Sequence, residues 1–349
     1  MGWSGSLNSE SAVGERITYT SDTSGEGVYS VTSFTAPKKG VYRFQLCGSG
    51  GAMGSTEADS DGTFDTANLG GGTGGSTDGY LLLDKGERIY IGAGGPCSAA
   101  FVAKGYGASL AQAGTPLLIA GAGGGAGRCY KRANYRSWGY GGNGGGSSGA
   151  NGYSNNNQSQ SAGGAGTQTG AGKGHDVNDG GDGGNGAYGA GGAGAYAETH
   201  GCPAWGGRGG DGYYGGGGGG CVASHNSSTD DISSYGYGGG GGSGYVKNAS
   251  LTVMGRTYVS TTTQGGGAEG GANGSVSVTY CARVQLPVFF DGAALERLFF
   301  NGTEVQGLVY NGTTIYARRG CEWLQRLRMR LRLRADLSAR RTASLTASI

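Results

Sequence analysis

The sequence predicts an all-β frame carrying long glycine-rich insertions, and three observations point there. Short runs alternate apolar and polar residues. In Val41–Cys47, Tyr42, Phe44 and Leu46 alternate with Arg43 and Gln45; in Ser275–Cys281, Val276, Val278 and Tyr280 alternate with Ser275, Ser277 and Thr279. No window before Gly292 carries a 3.6-residue apolar period. All but eleven of the 83 glycines lie between Gly48 and Gly274, in blocks such as Gly121–Gly127 and the unbroken run Gly215–Gly220.

Taken in order, residues 1–27 are polar and rich in Ser, Thr and Gly, and read as an N-terminal arm or connector. Val28–Phe34 and Val41–Cys47 flank the turn Ala36-Pro37-Lys38-Lys39-Gly40. Further strand candidates are Tyr80–Leu83, Arg88–Ile91, Leu117–Ala120, Leu251–Met254, Thr257–Ser260 and Ser275–Cys281. Glycine at this density gives up side-chain burial and maximises the backbone entropy lost on folding. Such a segment is either a flexible linker or a stack of backbones too close for a Cβ. Patterned strands bracket each block and fix its ends, which favours packing. Collagen is excluded, because the glycines fall in runs without a strict period of three and the chain has only 5 prolines.

The glycine-rich domain is therefore placed at 28–283, followed by a small β-hairpin module at 284–320. In that module LFFNGTEV and LVYNGTTIY are near repeats, each with an Asn-Gly hairpin signal (Asn301-Gly302 and Asn311-Gly312). The tail, 321–349, alternates Leu or Met with Arg in QRLRMRLRLR. An amphipathic strand, a membrane-surface or nucleic-acid contact and an out-of-frame extension all fit that pattern. The abrupt change of composition favours a disordered or non-native tail.

The formal charge of +2 is uneven: nine Arg against Glu322 and Asp336 give the segment from Arg318 onward +7, leaving about −5 for the rest. The body thus lacks the charge distribution of a specific nucleic-acid binder. The opening MGWSGSLNSE has neither a basic nor an apolar signal region, and no run approaches membrane-spanning length, so neither a secretory signal nor a membrane span is expected.

Signatures of catalysis are missing, and an enzyme is not expected. Glycine is so abundant that G-x-G-x-x-G matches arise by chance. Lys173 sits in TGAGKGH, with Thr167 where a phosphate loop needs Gly and Gly174 where it needs Ser or Thr. No V-A-I-K, H-R-D or D-F-G occurs. His200, Cys202, Cys221 and His225 can be drawn as a zinc set, but His-x-Cys is a poor chelating spacing, and no metal or cofactor is expected. A Cys202–Cys221 disulfide closing a glycine loop competes with free thiols. Cys47 and Cys281 end two strands on the face opposite the apolar residues, and would bridge only if the geometry allowed. His175, His200 and His225 read as solvated loop residues, and no D-x-D-x-D-G loop organises the aspartates for calcium.

The aromatic residues say more. Tyr occurs 21 times, often between glycines and with few aliphatic neighbours. Such rings either lie across glycine segments as lids or stand at exposed loop tips. CYKRANYRSWGY, YAETHGCPAW and CVASHNSSTDDISSYGY look like tips, and the candidate ligand-binding set is Tyr130, Arg132, Tyr135, Arg136, Trp138, Tyr140, His200, Trp205, Tyr213, Tyr214, Tyr235 and Tyr237. Rings beside Arg, Asn, Asp and Ser suit recognition of sugars or protein loops.

The ordered motifs FTAPKKGVYRFQLCGSGG, GGGTGGSTDGYLLLDKGERIYIGAGG, PLLIAGAGGGAG, YGYGGGGGSGYV and GGANGSVSVTY, spanning about Tyr29 to Tyr280, carry a resemblance. They resemble the glycine-rich domain of the anaplastic lymphoma kinase and leukocyte tyrosine kinase receptor ectodomains, which also recurs in bacterial and phage proteins. The GERIYIGAGG and LLIAGAGGG pieces are its most specific parts, and the receptors' kinase domain has no counterpart here. The resemblance implies a β-sandwich of jelly-roll or TNF-like type with bundled polyglycine II helices inserted, similar in arrangement to phage tail-fibre-tip adhesins. The module at 284–320 resembles small C-terminal β-modules of phage tail proteins. Together these imply a phage or prophage tail adhesin that binds a bacterial surface glycan or outer protein and joins other tail or surface proteins through its C-terminal module. It would be located on the virion tail or the cell surface. The alternatives are a secreted or cell-surface ligand-binding module of the receptor type and a structural glycine-rich spacer.

Overall fold

The computed structural model describes residues 2–53, 70–129, 133, 135–137, 139–154, 162–177 and 180–283, and beyond them eight short strands between 289 and 348. It divides into two units, Met1–Arg283 and Val284–Ile349.

Among its described residues, the first unit is built of β-strands with a single 3-10 turn at Leu110–Gln112. In chain order its first eight strands are β1 (Gly2–Ser4), β2 (Arg16–Thr20), β3 (Tyr29–Thr35), β4 (Gly40–Cys47), β5 (Ser76–Leu83), β6 (Arg88–Gly94), β7 (Ala100–Lys104) and β8 (Thr115–Ala120). Short strands follow within the glycine-rich region: β9 (Tyr135–Ser137), β10 (Gly139–Tyr140), β11 (Tyr153–Ser154), β12 (Tyr196–Thr199), β13 (Cys202–Trp205), β14 (Cys221–Asn226) and β15 (Asp231–Gly236). The chain then returns through β16 (Tyr245–Val246), β17 (Ser250–Val253), β18 (Arg256–Val259), β19 (Thr261–Thr263) and β20 (Ser275–Arg283).

Two antiparallel sheets, ordered β1-β2-β20-β4-β5-β19 and β16-β8-β7-β6-β3, contribute to one apolar core. The alternation read from the sequence decides which side chains enter it. Tyr42, Phe44 and Leu46 of β4 and Val276, Val278 and Tyr280 of β20 are buried there, meeting Phe34, Ile89, Ile91, Val102 and Leu118 of the other sheet. The segment expected to be an N-terminal arm is corrected in part: Arg16–Thr20 pairs with β20 and buries Ile17 and Tyr19 in that core. Only those two side chains carry the alternation, so the strand is short and its signal faint. Cys47 pairs with Ser275, at the opposite end of the antiparallel β4–β20 ladder from Cys281. Six strand positions place the two cysteines about 20 Å apart, too far for a disulfide.

The glycine segments between these strands are hydrogen-bonded to one another. The run Gly215–Gly220 shows the rule. Gly215 and Gly218 N–H donate to Ala187 and Gly184; Gly216 and Gly219 donate to Gly210 and Gly207; Gly217 donates to Gly164. Its carbonyls accept in the same rotation: from Gly172 and His175, from Gly192 and Ala195, and from Gly240 and Tyr237. Residues three apart therefore address the same neighbour, and six segments surround the run. The segment 122–127 obeys the same period, donating in turn to Asp211 and Arg208, to Ser49 and Ala52, and to Gly142 and Gly139. Every buried amide in such an array needs a partner, and here each partner is another backbone.

These glycines have no left-handed φ. Close approach is what demands them. A Cβ on Gly216, Gly217 or Gly218 would lie closer than 3.0 Å to the carbonyl oxygen of Gly240, Lys173 or Ala193 respectively. At the rim, where backbone acceptors run out, Asn or Asp side chains take their place. Asn143, Asn151 and Asn185 accept from Thr73, Ala165 and Gly174 N–H, and Asp182 accepts from Val177 N–H, all at 2.8 to 2.9 Å.

In the second unit, Phe299–Phe300 pairs with Thr303–Glu304 and Gly307–Tyr310 with Thr313–Ala317, leaving two-residue connections at the Asn-Gly positions, which themselves lie outside the described residues. Within the arginine-rich tail, where disorder is the expectation, Met329–Arg332 and Ser344–Ser348 pair with each other, and the latter with Gly307–Tyr310.

Gly217→Ala is expected to destabilise the first unit by about 1–3 kcal/mol or more through overpacking. Gly170, whose added Cβ would meet nothing within 4 Å, should accept Ala within about 0.5 kcal/mol. Denaturant unfolding of the two variants checks the contrast, and equal effects would contradict backbone contact as the reason for glycine.

Candidate recognition site

Four glycine segments span from the sheets to a common far end. Segment 121–127 leaves β8 and reaches Arg128; 206–212 returns from Trp205 to Asp211; 215–220 runs out from Tyr214 to β14; and 236–244 comes back from β15 to β16. At the roughly 3 Å per residue of any extended backbone, six residues carry the chain about 20 Å.

At the near end a buried ionic knot ties the block to the sheets. Asp211, 2 % exposed, accepts from Arg208 Nη2 and from Tyr29 Oη of β3, both at 2.7 Å, and from Gly191 N–H. Arg208 also donates to the Cys97 carbonyl at 3.1 Å. Burial, then the Asp211 charge, hold the Tyr29 phenol well above its ordinary value, and burial pushes the Cys97 thiol up to about 12, so both stay neutral. Beside the knot, Tyr213 stacks on Tyr245 at 4.2 Å, and Tyr188 and Tyr214 meet it edge-on.

At the far end the three segments read from the sequence as tips come together. Strands β14 and β15 form an antiparallel hairpin, β9 joins β15 in parallel, and the β12–β13 hairpin packs on them through Ala195, Ala197, Ala204, Cys221 and Ala223. Ser234 Oγ donates to the Pro203 carbonyl at 3.0 Å, and Arg128 and Trp205 exchange backbone hydrogen bonds. The β12–β13 turn is His200-Gly201, both at positive φ (48° and 72°), as a two-residue type I′ hairpin requires. His200 lies 4.3 Å from the His225 ring, whose Nε2 is 2.9 Å from Asp230 Oδ1.

The candidate residues divide accordingly. His200, Trp205 and Tyr235 lie on the far-end hairpins, and Tyr140 lies half-buried at 6.2 Å from Tyr153. The backbone of Tyr135 and Arg136 forms β9, while Tyr130, Arg132 and Trp138 lie outside the described residues. Three placements are corrected. Tyr237 is 2 % exposed, its ring against His175. Tyr213 and Tyr214 belong to the near-end aromatic cluster. All three directly flank glycine runs, and rings there close the array instead of projecting from it. The Cys202–Cys221 disulfide is also corrected to two free thiols. Cys202 sits beside the hairpin turn, Cys221 at the glycine end of β14, and burial pushes the Cys221 thiol up to about 11. Among the described residues, no group of three or more His, Cys, Asp or Glu side chains is placed to hold a metal ion.

Tyr196 and Glu198, which share the outer hairpin face with Trp205, stand outside the expected set. The sequence signal for them is the alternation in Tyr196-Ala197-Glu198-Thr199 against Cys202-Pro203-Ala204-Trp205 across His-Gly, which marks a hairpin with one small-residue face. The chain matches no protein-family model and no curated protein.

Asp211→Ala strands the Arg208 charge and should cost about 3–5 kcal/mol in denaturant unfolding; a loss under 1 kcal/mol would mean the knot does not anchor the block. Burial also lowers the His175 pKa. The unfolded chain then takes up that proton first as pH falls, so stability should drop on acidification through the ordinary imidazole value of 6.5. His175→Gln should flatten part of that slope in unfolding measured between neutral and acid pH.

Proposed function

We propose that the chain is a non-enzymatic recognition protein of the tail-adhesin kind, related to the glycine-rich domains of the receptor ectodomains, acting at a virion tail or cell surface. In this reading the two sheets are a jelly-roll or TNF-like sandwich, and the glycine segments are polyglycine II helices in a bundle. The period-three hydrogen bonding, the six neighbours of Gly215–Gly220 and the negative φ values support the helices. The bundle is a stiff stalk, and its far-end hairpins are the contact surface for a bacterial surface glycan or outer protein. The second unit serves attachment to other tail or surface proteins.

The single observation that carries this reading is the convergence of three separate, aromatic-rich segments at the end of the glycine array farthest from the Asp211 knot. A spacer has no need to gather them. Held by a rigid array, the hairpins lose little freedom on binding, which preserves affinity. The chemistry is contact alone, with no bond made or broken.

The fluorescently labelled full chain is expected to bind a subset of a panel of bacterial strains saturably. Trp205→Ala combined with Tyr235→Ala should weaken binding at least about tenfold, while slow amide exchange in the glycine segments persists. Saturable binding unchanged in the double variant, or absent from every strain, would overturn the proposal.

A further inference from the structure

We infer that the outer face of the β12–β13 hairpin is a binding site for a neutral hexopyranose, a sugar unit with free vicinal hydroxyls and no phosphate or carboxylate. This rests on the recognition reading above and narrows its ligand. The hairpin register sorts its side chains into two faces. Ala197 and Ala204 oppose each other and pack inward with Ala195, Cys221 and Ala223. On the other face Tyr196 opposes Trp205 and Glu198 opposes Pro203. Tyr196 is 53 % exposed and Trp205 half-buried, their rings 5.0 Å apart and inclined at 47°.

This arrangement offers what a pyranose needs. One side of such a ring is a patch of C–H groups, which settles on an aromatic face, and its rim is hydroxyls. The two rings, adjoining and inclined at 47°, offer such a C–H patch an aromatic face on the outer side of the hairpin. Glu198, exposed and one pleat along the same face, already accepts a hydrogen bond from Tyr196 Oη. Its carboxylate is acceptor-only and has capacity for a pair of adjacent hydroxyl donors. The same charge sets the class, since an acidic sugar would bring like charge against a carboxylate that has no ion pair among the described residues. The inward alanines matter too: small and closely packed, they seat the ribbon on β14 so that the ring pair is held in place before the sugar arrives.

The test presents the full chain to an array of neutral and acidic bacterial oligosaccharides and titrates the best neutral one by saturation-transfer NMR. Neutral hexose-terminated glycans are expected to bind. Trp205→Ala and Tyr196→Ala should each weaken binding about tenfold or more, and Trp205→Phe should recover most of it. Glu198→Gln should narrow the preference for neutral over acidic glycans. Tyr106→Ala, a distant and 65 % exposed tyrosine, controls for loss of any surface ring and should change nothing. Equal binding by wild type and Trp205→Ala, or binding confined to acidic glycans, would overturn the assignment. Cells bound by the chain provide the separating arm. Binding that survives periodate oxidation of surface sugars but is lost on protease treatment removes the glycan site while leaving the recognition reading intact. Loss on periodate alone supports the site.

Discussion

Backbone amides bonded to backbone carbonyls of other glycine segments, at a spacing with no room for a Cβ, are the interaction on which this molecule depends. In a sheet each strand has two hydrogen-bonding neighbours, and side chains fill the space above and below. In the glycine block successive residues turn their N–H groups to different neighbours, and Gly215–Gly220 is bonded on all sides. Hydrophobic burial contributes little there. Stability comes from complete pairing of polar groups and from density, and the entropy of ordering glycine is offset only if nearly every amide is satisfied. That explains the Asn and Asp side chains at the rim, which supply acceptors where the last neighbouring backbone is missing.

The two ends of the block solve different problems. At the near end the array must be fixed in register against ordinary sheets, and the Asp211–Arg208–Tyr29 knot with the tyrosine cluster does so using charge and rings. At the far end the chain leaves the array and regains side chains. Alanines on the inner face of the β12–β13 hairpin continue the close packing, while the outer face is free to carry large residues.

Legibility in the sequence followed the physics of each part. Strands with alternating large apolar residues, such as β4 and β20, were readable because their period reports a face and a core. The short β2 was not, since Ile17 and Tyr19 alone carry its pattern. The glycine block could be recognised as packed from the strands around it, but not its connectivity, because identical residues carry no information on which segment meets which. The same blindness affected the aromatics: Tyr213, Tyr214 and Tyr237 have the same local text as true tip residues, and only the three-dimensional path separates the ends. Tyr196 and Glu198 were hidden for a different reason. A His-Gly turn is a weaker hairpin signal than Asn-Gly, although histidine tolerates the left-handed backbone that the turn imposes.

The threefold rotation of the glycine amides also governs how such a gene can change length. Adding one residue to a run such as Gly215–Gly220 turns everything beyond it by a third of a revolution and hands each amide to the wrong neighbour. Adding three restores the phase. The far-end hairpins, by contrast, lie outside the array and tolerate insertions of any size at their turns. Descendants of this gene would then lengthen or shorten the glycine block only in steps of three residues, while drifting without such quantisation at the turns of the far-end hairpins.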